Sequence, residues 1–354
     1  RFIKGEEYDG NRTLNLIPES PPRGTTAGAQ SPHVEQLSLD IFNDFGVLSP
    51  KARWHRVVSR RSGRVYHEQR ITIQQPNEQF LRLNDRNADG NVYKIAYNEP
   101  GGYTKKTNID EGDQDYRELF KHVNINNHTN LSEALRRFLV IEEVMGYEVA
   151  VNLMSHWDGI KNNIFLYHNP PPIDKWEIIP WDVDKTFGYL DSDPMYWKMP
   201  IDFPLTGYAP GPENGAHELN GRRLIGPIGR PFHMDEELHE EYVRRVVAAL
   251  DGLFSEERVG GMIDDVENLL LEDLDLLETY IGNTRTSRRN QIHESYDTMR
   301  KFLRLRHQYL RSNMPTRFDV SRDLGNDEYK AASTIEGAKL TVYPGEDNSI
   351  TAVV

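Results

Sequence analysis

Hydrophobic spacing along the chain changes period several times, and each change predicts an element. Arg12–Ile17 alternates apolar and polar residues as a short strand does, and a Pro/Gly/Thr/Ser-rich loop follows from Pro18 to Pro32. Leu37, Leu39, Ile41, Phe42 and Phe45 then form a helical stripe that Gly46 and Pro50 stop. Two β-rich runs, Arg53–Ser59 and Arg64–Thr72, flank a turn at Arg60-Arg61-Ser62-Gly63 and read as a hairpin. Asn91–Tyr97 adds another strand. The stretch 100–131 is polar and predicts loop. From Ser132 a long helix is expected, with Leu135, Phe138, Leu139, Ile141, Val144 and Met145 on one side. Pro and Gly without a steady period make 191–233 a long loop. Helical spacing returns near 235–254, 259–282 and 287–313, and the last 40 or so residues turn β-like around Pro344-Gly345-Glu346-Asp347.

This division suggests a small mixed lobe over 1–100, a mainly helical lobe over 101–315, and a β-like tail or the start of an appended module over 316–354. The chain has 354 residues, long enough for about two domains or one two-lobed enzyme with a tail. It begins at Arg1 rather than Met, as expected of a fragment, so a signal peptide could have preceded it. Its 55 acidic against 42 basic residues leave a net charge of −13, which argues against a nucleic-acid partner. No run approaches the length of a membrane span. The absence of Cys excludes disulfide scaffolds, Cys-ligated zinc, iron–sulfur clusters and thiol nucleophiles.

The chemistry concentrates in 154–188. A helix ends in His156-Trp157-Asp158, and Asn163 comes five residues after that Asp. Ile164–Tyr167 reads as a strand, Pro170-Pro171-Pro172 as a turn, and Lys175–Ile179 as a second strand that delivers Asp182 and Asp184. Phosphoryl transfer uses such a layout. One carboxylate accepts the proton of the attacking hydroxyl, while an amide oxygen and a second carboxylate hold the divalent ions on the nucleotide. Protein kinases order these parts as His-x-Asp-x4-Asn, a hairpin, then Asp before Phe-Gly. Taken singly, Asp158-Gly159 and Asn162-Asn163 also suit turns or caps, and Trp181–Asp184 suits a solvated strand end or part of a calcium site.

The run His-Trp-Asp-Gly-x3-Asn-x2-Phe-Leu-Tyr, followed by Trp-x-x-Ile-Pro-Trp-Asp-x-Asp-x-Thr-Phe-Gly, resembles the CotH family, atypical kinases named for the bacterial spore coat protein H. The likeness extends over roughly residues 1–315, through Asn11–Leu16, Leu37–Gly46, Gly63–Leu81, Asn91–Lys94 and the tail Phe302-Leu303-x-x-Arg306-x-x-Tyr309-Leu310. It implies an α+β, two-lobed atypical protein-kinase-like fold, with a small mixed β-rich N-lobe and a mainly helical C-lobe. It further implies ATP with Mg2+ or Mn2+, and transfer to Ser or Thr hydroxyls of a protein substrate, itself included. Carried over, Asp158 becomes the catalytic base, Asn163 a metal ligand, and Asp182 the principal metal carboxylate, with Asp184 a second or alternative ligand. Trp176 could stack on adenine or be an ordinary buried aromatic. Export to the cell surface follows from the family alone.

The sequence departs from the kinase pattern in three places. Trp157 replaces the Arg of His-Arg-Asp. No Gly-x-Gly-x-x-Gly occurs, and Gly24 and Gly28 substitute for it poorly. The phosphate-binding Lys is either Lys4, on a first strand, or Lys94, with Glu35 on the first helix the nearest candidate partner. These gaps keep open a second class, a catalytically inactive CotH-like binding or structural module of a surface protein. A metal-dependent phosphodiesterase built on the same acids is a third.

Weaker motifs resolve as ordinary surface features. Asp85-Arg-Asn87-Ala-Asp89-Gly90 opens like a calcium loop, but Ala96 stands where the bidentate acid must be, so a polar turn is expected. His156 and His168 lack a third ligand nearby for zinc. Asn11-Arg-Thr13, Asn127-His-Thr129 and Asn130-Leu-Ser132 fit the glycosylation pattern, and Arg285, Arg288 and Arg289 read as a solvated face rather than a dock for acidic substrates.

Overall fold

The computed structural model describes residues 6–18, 33–96, 102–123, 131–156, 159, 162–187, 235–276 and 285–313. It also describes short pieces at 201, 218–219, 222–223, 228–229, 232, 320–323, 328–331, 335–336, 339–342 and 350–353. Helices and antiparallel sheets alternate irregularly along it, an α+β architecture.

The first sheet has strand order β1-β3-β2, from β1 (Leu14–Pro18), β2 (Ala52–Arg61) and β3 (Arg64–Gln74). The β2–β3 hairpin closes through Ser62 and Gly63, both at positive φ (51° and 77°), and pairs Arg61 with Arg64. Two left-handed residues in a two-residue loop match the twist of the flanking strands, so the turn chemistry fixes this register. Ala52, Ile71 and Ile73 are buried beneath helix α1 (His33–Asp44), whose Val34, Leu37, Ile41 and Phe42 join the same core.

The second sheet has order β5-β4-β6-β7, from β4 (Asn91–Ile95), β5 (Tyr103–Lys105), β6 (Ile164–His168) and β7 (Trp176–Pro180). It draws strands from both sides of residue 100. One face, with Tyr93, Ile95, Ile164, Leu166, Trp176 and Ile178, meets the main core. The other, with Val92, Phe165, Tyr167 and Ile179, packs on Phe80 and Leu81 of α2 (Glu78–Leu83), a short helix capped by the Asn77 side chain. Because both faces are covered, β6 and β7 read as continuous apolar runs rather than alternating ones. Arg86, just past α2, forms ion pairs with Glu177 of β7 (2.8 Å) and Glu143 (2.7 Å) and so clamps the sheet to the helices.

Two expectations need correction. The stretch 100–131 contains β5, a 3-10 turn (Ile109–Glu111) and helix α3 (Gln114–His122), where Leu119 is buried and Tyr116 and Phe120 pack against the core. The long helix from Ser132 is two helices, α4 (Leu131–Phe138) and α5 (Ile141–Met154). They part because Leu139 bridges to Trp176, and the Val140 N–H donates to the Trp176 carbonyl at 2.9 Å. This pairing covers the open edge of β7, where an exposed strand is a liability.

Helix α5 is buried on nearly every side from Glu143 to Met154, as a central helix must be when it lacks a polar stripe. Helix α6 (Glu236–Leu250) packs on it, and α7 (Glu256–Leu276) pairs with α8 (Arg285–Asn313). Arg306 of α8 is fully buried and donates to the carbonyls of Asn152 (2.7 Å) and Ile201 (2.6 Å), tying the closing helix to α5. Two-residue strands β8 (Glu218–Leu219) and β9 (Arg222–Arg223) pair within 191–233, whose remainder falls largely outside the described residues. The tail carries β10 (Val320–Asp323) paired with β11 (Glu328–Ala331), then β12 (Ile335–Glu336), β13 (Lys339–Val342) and β14 (Ile350–Val353) in a second small sheet. Among the described residues no helix is long and apolar enough to cross a membrane.

Candidate functional site

The end of α5 starts the site. Ser155 turns left-handed (φ 54°), the His156 N–H donates to the Val151 carbonyl at 2.9 Å, and the helix stops. His156 is wholly buried, and its Nδ1–H donates to the Lys185 carbonyl at 3.4 Å. Burial drives its pKa down to about 4, the Lys185 bond opposing only in part, so the ring is neutral. The Tyr147 hydroxyl donates to the Gly159 carbonyl at 2.7 Å. A Cβ at Gly159 would stand 2.3 Å from His156 Nε2 and 2.9 Å from the Tyr147 hydroxyl, so only glycine fits. The loop is thus fastened at both 156 and 159. Asp158 itself lies outside the described residues, as do Lys4, Gly24 and Gly28.

The β6–β7 hairpin brings the next two groups together. Ile164 pairs with Pro180, and the Trp181 N–H donates to the Asn163 carbonyl at 3.0 Å, so Asn163 stands one residue from Asp182 across the ladder. Asn163 is buried (7% exposed), whereas Asp182 is exposed, and both have left-handed backbones (φ 54° each). Asn and Asp tolerate that region better than other non-glycine residues, and such strain collects where a side chain must be aimed.

The turn after β7 is anchored from three directions. The Phe187 N–H donates to the Met154 carbonyl (3.1 Å), and its ring packs on Phe254 and Phe302. The Thr186 hydroxyl bonds the Val183 carbonyl (3.0 Å) and meets the Ser38 hydroxyl at 2.7 Å. Helix α1 therefore lies directly over the acids, and Glu35, 6% exposed, is the residue it presents. Burial, then repulsion from Asp184 and from Asp182, pushes the Glu35 carboxyl up to about 8, against a hydrogen bond from the Val183 backbone that favours its charge. Asp182, Asp184 and Glu35 thus form one electrostatic cluster. The charges of both aspartates act on the Glu35 carboxyl, and Lys4, one of its two expected partners, lies outside the described residues.

Sequence reasoning missed Lys185, whose side chain is 11% exposed and whose ammonium pairs with Asp184 at 3.2 Å. Its only sequence signal was adjacency to Asp184. Lys94 sits half-buried on β4, opposite Thr104 of β5 and Phe165 of β6. Trp176 begins β7, while Asp182 follows its end, about 20 Å away along an extended chain. Its ring is 1% exposed and lies flat on His168 (4.4 Å, 4°), with Tyr93 tilted against it at 5.7 Å. The adenine-stacking role gives way to that of a core aromatic. The segment Asp85–Gly90 is a turn in which the Asp89 N–H bonds the Asn87 side chain at 2.9 Å.

The donors at Asn163, Asp182 and Asp184 are all hard oxygens, which suit Mg2+ or Mn2+ rather than zinc. A dication there would relieve the negative charge that burdens Glu35. Among the described residues no three His, Asp or Glu are placed to hold an ion unaided. Mg2+ usually takes one or two carboxylates and completes its shell with phosphate oxygens and water, so the set fits that ion.

A helix end, a hairpin and an acid-bearing turn converging beneath the first helix define a kinase-like α+β protein. The chain belongs to the CotH kinase protein family, whose model matches residues 31–310. It is 23% identical over 260 residues to the inner spore coat protein H of Bacillus subtilis (strain 168), an alignment taking in 67% of this chain and 65% of that protein's length. The crystal structure of the Helicobacter pylori proinflammatory kinase CtkA aligns over 85% of this chain and 88% of that one, at 9% identity and a TM-score of 0.31.

Proposed function

We propose that this protein is an ATP- and divalent-metal-dependent protein kinase acting on Ser or Thr hydroxyls of a protein substrate, itself included. The observation that carries this reading is that the β6–β7 ladder sets Asn163 one residue from Asp182, while the charges of Asp184 and Asp182 act on a buried Glu35. Mg2+ or Mn2+ supplies charge neutralisation on the nucleotide phosphates when bound. Asn163 and Asp182 would hold it, with Asp184 second. Asp158 orients the acceptor hydroxyl and takes its proton as the hydroxyl oxygen bonds the γ-phosphorus and the bond to ADP breaks. Gly159, Tyr147 and His156 keep that loop in position. A surface or coat association belongs to the same reading and is supported by the name of the Bacillus relative.

The test is ³²P incorporation from labelled ATP with Mg2+ or Mn2+ into the chain and into casein. Asp158→Asn and Asp182→Asn should each lower it by roughly 100-fold or more. Undiminished labelling in both variants overturns the assignment. Wild type that neither labels nor shifts its melting point with millimolar ATP and metal would instead be the non-catalytic CotH-like module.

A further inference from the structure

A cleft of about 700 Å3 opens between α3, α4 and the turn of the β6–β7 hairpin, within the size range of ligand sites. It lies at the Trp176 end of β7, away from Asp182, and contains none of the acids assigned above.

Its walls are aromatic. The His168 ring, backed by the buried Trp176, forms one side, and Phe138 with His122 stacked at 5.3 Å forms another. Four carboxylates stand around these rings: Asp115, Glu118, Glu133 and Asp174. Among the described residues lining the cleft, Arg137 alone carries a permanent positive charge. Burial opposes the charge on Asp115, but hydrogen bonds from His168, Tyr93 and Asn91 outweigh it and hold the carboxyl well below the usual range. Glu118 is lowered too, chiefly by its bond to His122. The cleft is therefore anionic at neutral pH.

Carboxylates set beside aromatic rings are complementary to an organic cation. Ammonium and guanidinium groups pair with carboxylates and stack on aromatic faces. Asp115, Glu118 and His122 lie on one face of α3, spread over about 10 Å. Side chains i and i+2 of an extended peptide are about 6.6 Å apart and fit within that length.

We propose that this cleft binds a Lys- or Arg-bearing peptide segment. The site stands independently of phosphoryl transfer, since occupying it needs neither Asp158 nor a nucleotide.

Isothermal titration of the whole chain with acetyl-Ala-Arg-Ala-Lys-Ala-amide, and with its counterpart carrying Gln for both basic residues, tests this. The basic peptide should bind and the Gln peptide should not. Glu118→Gln combined with Asp174→Asn should weaken binding roughly three- to tenfold, as should raising the salt from about 0.05 to about 0.5 M. Both substituted side chains are well exposed, 40% and 56%. The proposal is overturned by no binding at millimolar basic peptide, by equal binding of the Gln peptide, or by affinity indifferent to both the substitutions and salt. Binding of spermidine without binding of the peptide also overturns it.

Discussion

Glu35 gives the sharpest quantitative test. Its carboxyl, 6% exposed, is displaced from an ordinary 4.5 to about 8, by burial first and then by Asp184 and Asp182. Between those pH values the folded chain keeps a proton that the unfolded chain has lost, so stability must fall as pH rises through the window. At about 1.4 kcal/mol per tenfold change in proton affinity, the loss is about 3 kcal/mol between pH 4.5 and 7, with about 1 kcal/mol more by pH 8. Glu35→Gln keeps an oxygen for the Val183 N–H and cannot ionise. Urea unfolding in EDTA at pH 5, 6, 7 and 8, followed by tryptophan fluorescence, should show the two proteins nearly equal at pH 5. By pH 8 the variant should be more stable by about 2–4 kcal/mol. A dication at Asp182 and Asp184 would lower the proton affinity of Glu35, so adding Mn2+ at pH 7 should release protons from wild type and fewer from the variant. Parallel pH profiles for the two proteins would refute the clustering of Glu35 with the aspartates.

Three further variants test other parts of the structure. Gly159→Ala drives a Cβ to 2.2 Å from the buried His156 ring and should cost about 1–3 kcal/mol of unfolding free energy, with labelling from ATP falling alongside. Gly261→Ala, within α7 and with nothing inside 4 Å of the added carbon, should instead stabilise by about 0.5–1 kcal/mol in the same denaturation assay. Arg86→Met leaves Glu143 and Glu177 buried without their shared cation and should cost about 3–5 kcal/mol at pH 7. Burial and the neighbouring Glu177 already hold Glu143 above the ordinary carboxylate range.

What could be read from the chain alone was local order; what could not was which surfaces meet. The β2–β3 hairpin was legible because Ser62-Gly63 supplies two left-handed residues, and β6 and β7 because Pro and Asn punctuate short apolar runs. The break between α4 and α5 was not legible, since Leu139 and Ile141 continue a helical stripe without interruption. A backbone hydrogen bond from Val140 to Trp176, far away in sequence, decides it. Helix α3 was hidden for a related reason: Tyr116, Leu119 and Phe120 form its apolar stripe amid acids and Gly that give the stretch a loop's composition.

The candidate site divides along the same line. The spacing of Asn163 and Asp182 about a hairpin could be read because one ladder fixes both, and a ladder is a local object. The position of Glu35 could not. It depends on α1 being held over the 182–187 turn by contacts such as Ser38 with Thr186, across 148 residues of sequence. Folding brings two more carboxylates within electrostatic reach of Glu35. A protein that buries a third acid against two others carries an electrostatic cost that a bound dication removes. That cost is the physical reason to expect metal affinity here, and the pH profile of Glu35→Gln measures it without relying on turnover.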